Sequence, residues 1–138
     1  MKAVGLVMGW MLLCFACASS QNTNLKYTDE IEGTGKSVFE NGAVKISNPE
    51  VEYEVIIFDN QFESWFVRRA RPRGCYSKTF LETKNRQWII SFNLKARSGV
   101  RGFNYVIDYQ SSIDYGYEVN YMIYNYLLYF QETNRISL

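Results

Sequence analysis

The segment that most limits the fold is Tyr117–Asn134, because it is apolar on two sides at once. At 100° per residue, a helix here carries Val119, Ile123, Tyr126, Leu127 and Phe130 along one stripe. Tyr117, Tyr121, Tyr124 and Leu128 form a second stripe, turned roughly 150° away. Glu118, Asn125, Tyr129 and Glu132 fall between the stripes, as a narrow wet face. Such a helix is either covered on both sides or meets a partner. Asn120 and Asn125 interrupt the apolar stretch, so it does not read as a membrane span. The first stripe is expected to be core. Tyr117, Tyr121, Tyr124 and Leu128 are the candidate protein interface, since tyrosine gives large contact area at low rotamer cost.

The chain's other end reads as an export signal. Lys2 supplies a positive start, Val4–Phe15 is an apolar run of 12 residues, and small residues follow from Ala16. A bilayer span needs roughly 20 residues, so the run suits a cleaved signal over residues 1–16. Two cleavage readings stay open. In one, Ala16-Cys17 ends a lipobox and Cys17 is the lipid attachment site, although Cys14 and Phe15 stand where Leu and a small residue are usual. In the other, Ala16-Cys17-Ala18 is a small-x-small site for ordinary signal peptidase, and the product is soluble periplasmic or secreted protein. The polar run Ser19–Asn24 favours the lipoprotein, and two or more acyl chains give stable membrane residence. The expected location is the bacterial envelope, lipid-anchored at the outer membrane.

Cleavage ahead of Cys17 removes Lys2, leaving 14 basic residues against 14 acidic ones. No field of one sign then recruits nucleic acid. Lipidation uses Cys17 and leaves Cys75 alone, so no intrachain disulfide is available to hold the fold.

Residues 17–47 read as a flexible polar tether. A local exception is a hairpin signal over 37–46, where Asn41-Gly42 separates two short apolar stretches. One α+β domain is expected over 48–138, with a small antiparallel sheet, two or three helices and a long C-terminal helix. Glu50–Phe58 alternates and then becomes continuously apolar, as a strand does on entering a core. Asp59 is an N-cap candidate; Phe62, Trp65, Phe66 and Arg69 follow at helical spacing, and Pro72 stops the helix. After a turn at Arg73–Tyr76, Ser77 caps a short helix to about Asn85. Gln87–Leu94 and Phe103–Tyr109 have the β-branched and aromatic content of two further strands.

The residue inventory narrows the chemistry. The chain contains no His, which removes Ser-His and Cys-His catalysis and most zinc or iron sites. No metal or cofactor is expected, and Gly33-Thr-Gly35-Lys36 lacks the spacing of a phosphate loop. Asp108, Asp114 and Glu118 contain a carboxylate pair suited to glycoside hydrolysis, but Asp114 as a helix cap and Glu118 on the helix dipole is the simpler account. Arg68, Arg69, Arg71 and Arg73, with Lys78 nearby, are a candidate anion site, or else a solvated helix end.

Tyr53–Asp59, the Phe62 and Trp65 pair, Gly74–Ser77 with Leu81-Glu82, and above all Ile113–Gln131 together resemble a family of small bacterial lipoproteins of unknown function. The likeness spans about Glu52 to Gln131, with Cys75 standing where an aromatic residue is expected. It implies a lipoprotein with a small mixed domain and carries no activity or functional residues across. The function expected is that of a non-enzymatic, membrane-anchored envelope lipoprotein acting on another envelope protein. The alternative is a binding module for a small envelope ligand such as a glycan fragment.

Overall fold

The computed structural model describes residues 35–138. The expected signal over residues 1–16, Cys17 and most of the expected tether lie outside the described residues. The fold is α+β: a three-stranded antiparallel sheet, β1 (Lys36–Glu40), β2 (Ala43–Asn48) and β3 (Tyr53–Phe58), followed by α1 (Asn60–Arg69), α2 (Lys78–Arg97) and α3 (Gly116–Asn134).

The Asn-Gly signal makes the first hairpin. Asn41 and Gly42 both take positive φ, 51° and 77°, between the Glu40–Ala43 pair, as a two-residue primed turn requires. This hairpin is no loose appendage, because Val44 and Ile46 are fully buried and Ser37 is buried with them. Residues 36–47, assigned to the tether, are thus part of the domain. Their few apolar side chains suffice because they land under α3, which touches both β1 and β2.

Asp59 caps α1 by accepting from the Gln61 amide at 2.9 Å, and Ser77 caps α2 by accepting from the Phe80 amide at 3.2 Å. The helix that Ser77 starts does not stop at Asn85. It runs on through Gln87–Leu94, where a strand was expected. Leu81, Asn85, Ile89 and Phe92 are its buried residues, at helical spacing, and no Gly or Pro interrupts it. A buried Asn concealed the stripe, and packing overrode β propensity. Phe103–Tyr109 is likewise no strand but an irregular segment. The Asn93 amide on α2 explains this: its Nδ2 donates to the Ile107 carbonyl at 2.9 Å and its Oδ1 accepts from the Ile107 amide at 2.8 Å. One side chain thus gives Ile107 the pair of bonds that a neighbouring strand would have given.

α3 touches the hairpin, α1 and α2. It is buried nearly all round, including Glu118, Asn125 and Tyr129 of the expected wet face. The asparagines are satisfied within the fold. Asn120 Nδ2 donates to the Gly116 carbonyl and Asn125 Nδ2 to the Tyr121 carbonyl, while Asn120 Oδ1 accepts from Tyr109 Oη at 2.8 Å.

Candidate functional site

The stripe offered as an interface is inside the domain. Tyr121 is 2% exposed and Tyr124 7% exposed, while Tyr117 and Leu128 are half-buried against the core. Tyr121 Oη donates to the Arg71 carbonyl, Tyr117 Oη accepts from the Gly74 amide at 2.8 Å, and Tyr124 stacks on Trp88 with centroids 5.1 Å apart. The second apolar side of α3 packs on α2 and the 71–76 turn, which bury Tyr121 and Tyr124 and leave Tyr117 and Leu128 half-buried.

The four arginines have four different partners within the fold. Arg68 donates to its own helix at the Ser64 carbonyl, Arg69 meets Glu132 at 3.4 Å, and Arg71 lies over the Tyr76 ring. Arg73 has its carboxylate already. Its Nε donates to Glu118 Oε2 at 2.7 Å and its Nη2 to Glu118 Oε1 at 2.6 Å, with both side chains 6% exposed. Ser37 Oγ adds a third donor to Glu118, and the Tyr121 ring packs 4.7 Å from the guanidinium. This fork ties β1, the turn after α1, and α3 together. Glu118 and Asp114, candidates for an acid–base pair, are thereby occupied. Asp114 pairs with Lys78 at 2.5 Å and accepts from the Gly116 amide at the start of α3, and these two bonds hold its carboxyl below the usual range. Cys75 is exposed and unpaired among the described residues. Also among the described residues, no three of His, Cys, Asp and Glu gather as metal ligands, and no helix is long and apolar enough to cross a membrane.

The candidate site lies elsewhere, on the edge of β3. A groove of about 640 Å³ runs along Glu52–Phe58, with Tyr105–Asp108 as its far wall and Ile123, Tyr126 and Leu127 of α3 as its floor. That volume is in the range of binding clefts. Tyr53, Val55 and Ile57 turn inward on β3; Glu54, Ile56 and Phe58 turn outward. Ile56 is 46% exposed and Phe58 83%, and Val106 across the groove is 53% exposed. Among the described residues, the backbone bonds of β3 go to β2 alone. The sequence signal for this site was the break in alternation at Val55–Phe58. It marks an apolar outer face on an edge strand rather than a strand buried on both sides.

Polar groups in the groove are few and mostly used. Tyr53 Oη donates to the Asp108 carbonyl at 3.3 Å, and the Tyr105 and Tyr126 hydroxyls share one bond at 3.1 Å. Burial raises the pKa of all three phenols, Tyr53 further through its neighbour Tyr115 and Tyr126 further through Tyr105, so they are neutral donors at physiological pH. Glu52, Glu54 and Asp108 stand at the groove's rim. Of these, Glu54 pairs with Lys45 at 2.8 Å, while no bond to the Glu52 or Asp108 carboxylate occurs among the described residues.

Buried phenols make stability alkali-sensitive. Burial lifts Tyr109, and burial with the Asp59 hydrogen bond lifts Tyr129, from the ordinary 10.0 to about 12. The folded state therefore holds protons that the unfolded state releases first. The contribution of these phenols to stability is complete below pH 10.0 and is lost as pH rises from there through about 12. Tyrosinate absorbance and loss of helical circular dichroism should rise together in one step above pH 10.0. Gradual ionisation centred at 10.0, with the helices intact, would contradict it.

These features define a small α+β protein with an apolar groove at a sheet edge that is unpaired among the described residues. The chain belongs to DUF6146, a family of unknown function, which it matches over residues 6–138. No curated protein is found to match it. No solved structure is found to match it either.

Proposed function

We propose that this is a membrane-anchored envelope lipoprotein that acts without catalysis, by binding another protein in the groove along β3. The observation that carries the reading is the coincidence of an unpaired strand edge with a rim of exposed Ile56, Phe58, Tyr105 and Val106. Exposed apolar clusters of this kind mark interaction sites in soluble domains. A photo-crosslinker at Val106 of the full-length protein, in its native membrane, should give a discrete protein adduct. The same group at Val67, which is also well exposed but on α1, should not. Equal labelling at both positions, or none at Val106, would count against the groove.

A second reading, a module for a small envelope ligand such as a glycan fragment, is favoured by the Tyr53, Tyr105 and Tyr126 rings lining the groove. Against it, those hydroxyls are bonded within the protein, and a sugar needs donors and acceptors that the remaining apolar lining lacks. Crosslinking at Val106 separates the two by the mass of the adduct.

Anchoring at Cys17 is part of the proposal and rests on the Ala16-Cys17 junction with its polar sequel. Replacing Cys17 with Ser should abolish palmitate labelling and move the protein from the outer-membrane fraction to the soluble periplasm. An unlabelled, soluble wild type would favour ordinary signal-peptidase cleavage.

A further inference from the structure

We infer that the groove takes an extended segment of a partner polypeptide as a fourth, antiparallel strand on β3, with a basic residue at that segment's C-terminal end. This deepens the protein-binding reading and rests on it. Four observations carry it. First, β3 is an edge whose alternate N–H and C=O groups point away from β2, and backbone groups of that kind are satisfied by an added strand. Natural edges are blunted with charged side chains (Lys above all), Pro or bulges, whereas Tyr53–Phe58 contains no Lys, Pro or Gly, and its one charged residue, Glu54, is paired with Lys45.

Second, the space suits one chain. The groove's 640 Å³ lies along Glu52–Phe58, about 23 Å of strand at roughly 3.3 Å per residue. The Tyr105–Asp108 wall closes the far side, so a second copy of the whole sheet would meet that wall.

Third, the surroundings prescribe the side chains. Every second residue of the added strand would face half-buried Val55 and Tyr126 and exposed Val106, above buried Ile123 and Leu127, and the alternate ones would stand beside Ile56 and Phe58 on the open face. Apolar residues at every second position therefore fit.

Fourth, charge sets the direction. Glu52 and Asp108 both line the groove at its Tyr53 end, Glu52 as the chain neighbour of Tyr53 and Asp108 through the bond of its carbonyl to Tyr53 Oη. In the antiparallel sense, which continues the existing sheet, the Tyr53 end of β3 faces the C-terminal end of the guest. A Lys or Arg there meets two carboxylates.

The test uses the full-length lipoprotein in detergent and a fluorescent heptapeptide of alternating Val and Thr ending in Lys. Hydrogen exchange should slow at β3 amides on binding. N-methylation of the peptide amides that face β3 should weaken binding tenfold or more, since each backbone bond lost accounts for about two- to tenfold. N-methylation of the opposite set should change little. Moving Lys to the N-terminal end, or making the Glu52→Gln/Asp108→Asn double variant, should weaken binding about two- to fivefold, as rim charges do. Indifference to N-methylation, with Val106→Asp still abolishing binding, overturns strand addition and leaves groove binding intact. Lack of any peptide binding, together with no protein adduct at Val106, overturns both. Mapping the Val106 adduct to residues 18–34 of the same chain, or to a second copy, would overturn the partner segment and name the occupant.

Discussion

Arg73→Ala should cost about 3–5 kcal/mol, a large share of the stability of a small domain. The reason is the neighbour left behind. Glu118 is 6% exposed on its side chain, and without the guanidinium only Ser37 Oγ would remain to it among the donors named above. Exposed ion pairs are worth under about 1 kcal/mol, so burial is what makes this pair expensive to break. The pair itself is not expected to be a large net stabiliser. The double variant Arg73→Met/Glu118→Leu should recover most of the loss, because apolar residues of similar volume remove both desolvated charges at once. Urea unfolding of the wild type, both single variants and the double closes the cycle. A single variant within about 1 kcal/mol of wild type would mean that water reaches this pair, contrary to the burial seen here.

Phe62→Ala should be equally severe, at about 3–5 kcal/mol, by a different route. Phe62 is fully buried on α1, and its ring sits 5.4–6.2 Å from Phe39, Trp65, Phe66, Tyr126 and Tyr129. It joins the hairpin to α1 and the C-terminal half of α3. Several rigid aromatic neighbours cannot collapse into the space of one ring, so a cavity should persist and add to the lost transfer energy. Phe62→Leu should lose clearly less, since most of the volume stays. Denaturant midpoints for the two variants check this, and a loss under about 1 kcal/mol for Phe62→Ala would show that the cluster closes up.

The elements fixed by local chemistry were legible in the chain. Asp59 and Ser77 accept from free amides at helix starts wherever the chain turns helical, Pro72 cannot continue α1, and Asn41-Gly42 favours one kind of two-residue turn. The last helix was legible for a related reason, since its apolar positions repeat at helical period over five turns. None of these signals needs to know what lies across the core.

What packs against what was decided only in three dimensions. Gln87–Leu94 has strand composition, yet it continues α2 because Ile89 and Phe92 then fall in line with Leu81 on one buried face. Phe103–Tyr109 has strand composition, yet it is irregular and bonds the Asn93 side chain rather than a strand, and so leaves the β3 edge open among the described residues. Glu118 and Arg73 are 45 residues apart, and each taken alone reads as a solvated charge. The burial of the Tyr121 and Tyr124 stripe, and the exposure of Ile56 and Phe58, have the same origin. A sequence shows that a face is apolar, but only the tertiary arrangement says which apolar faces are covered, because hydrophobic burial is non-directional and any sufficiently apolar neighbour can supply the cover.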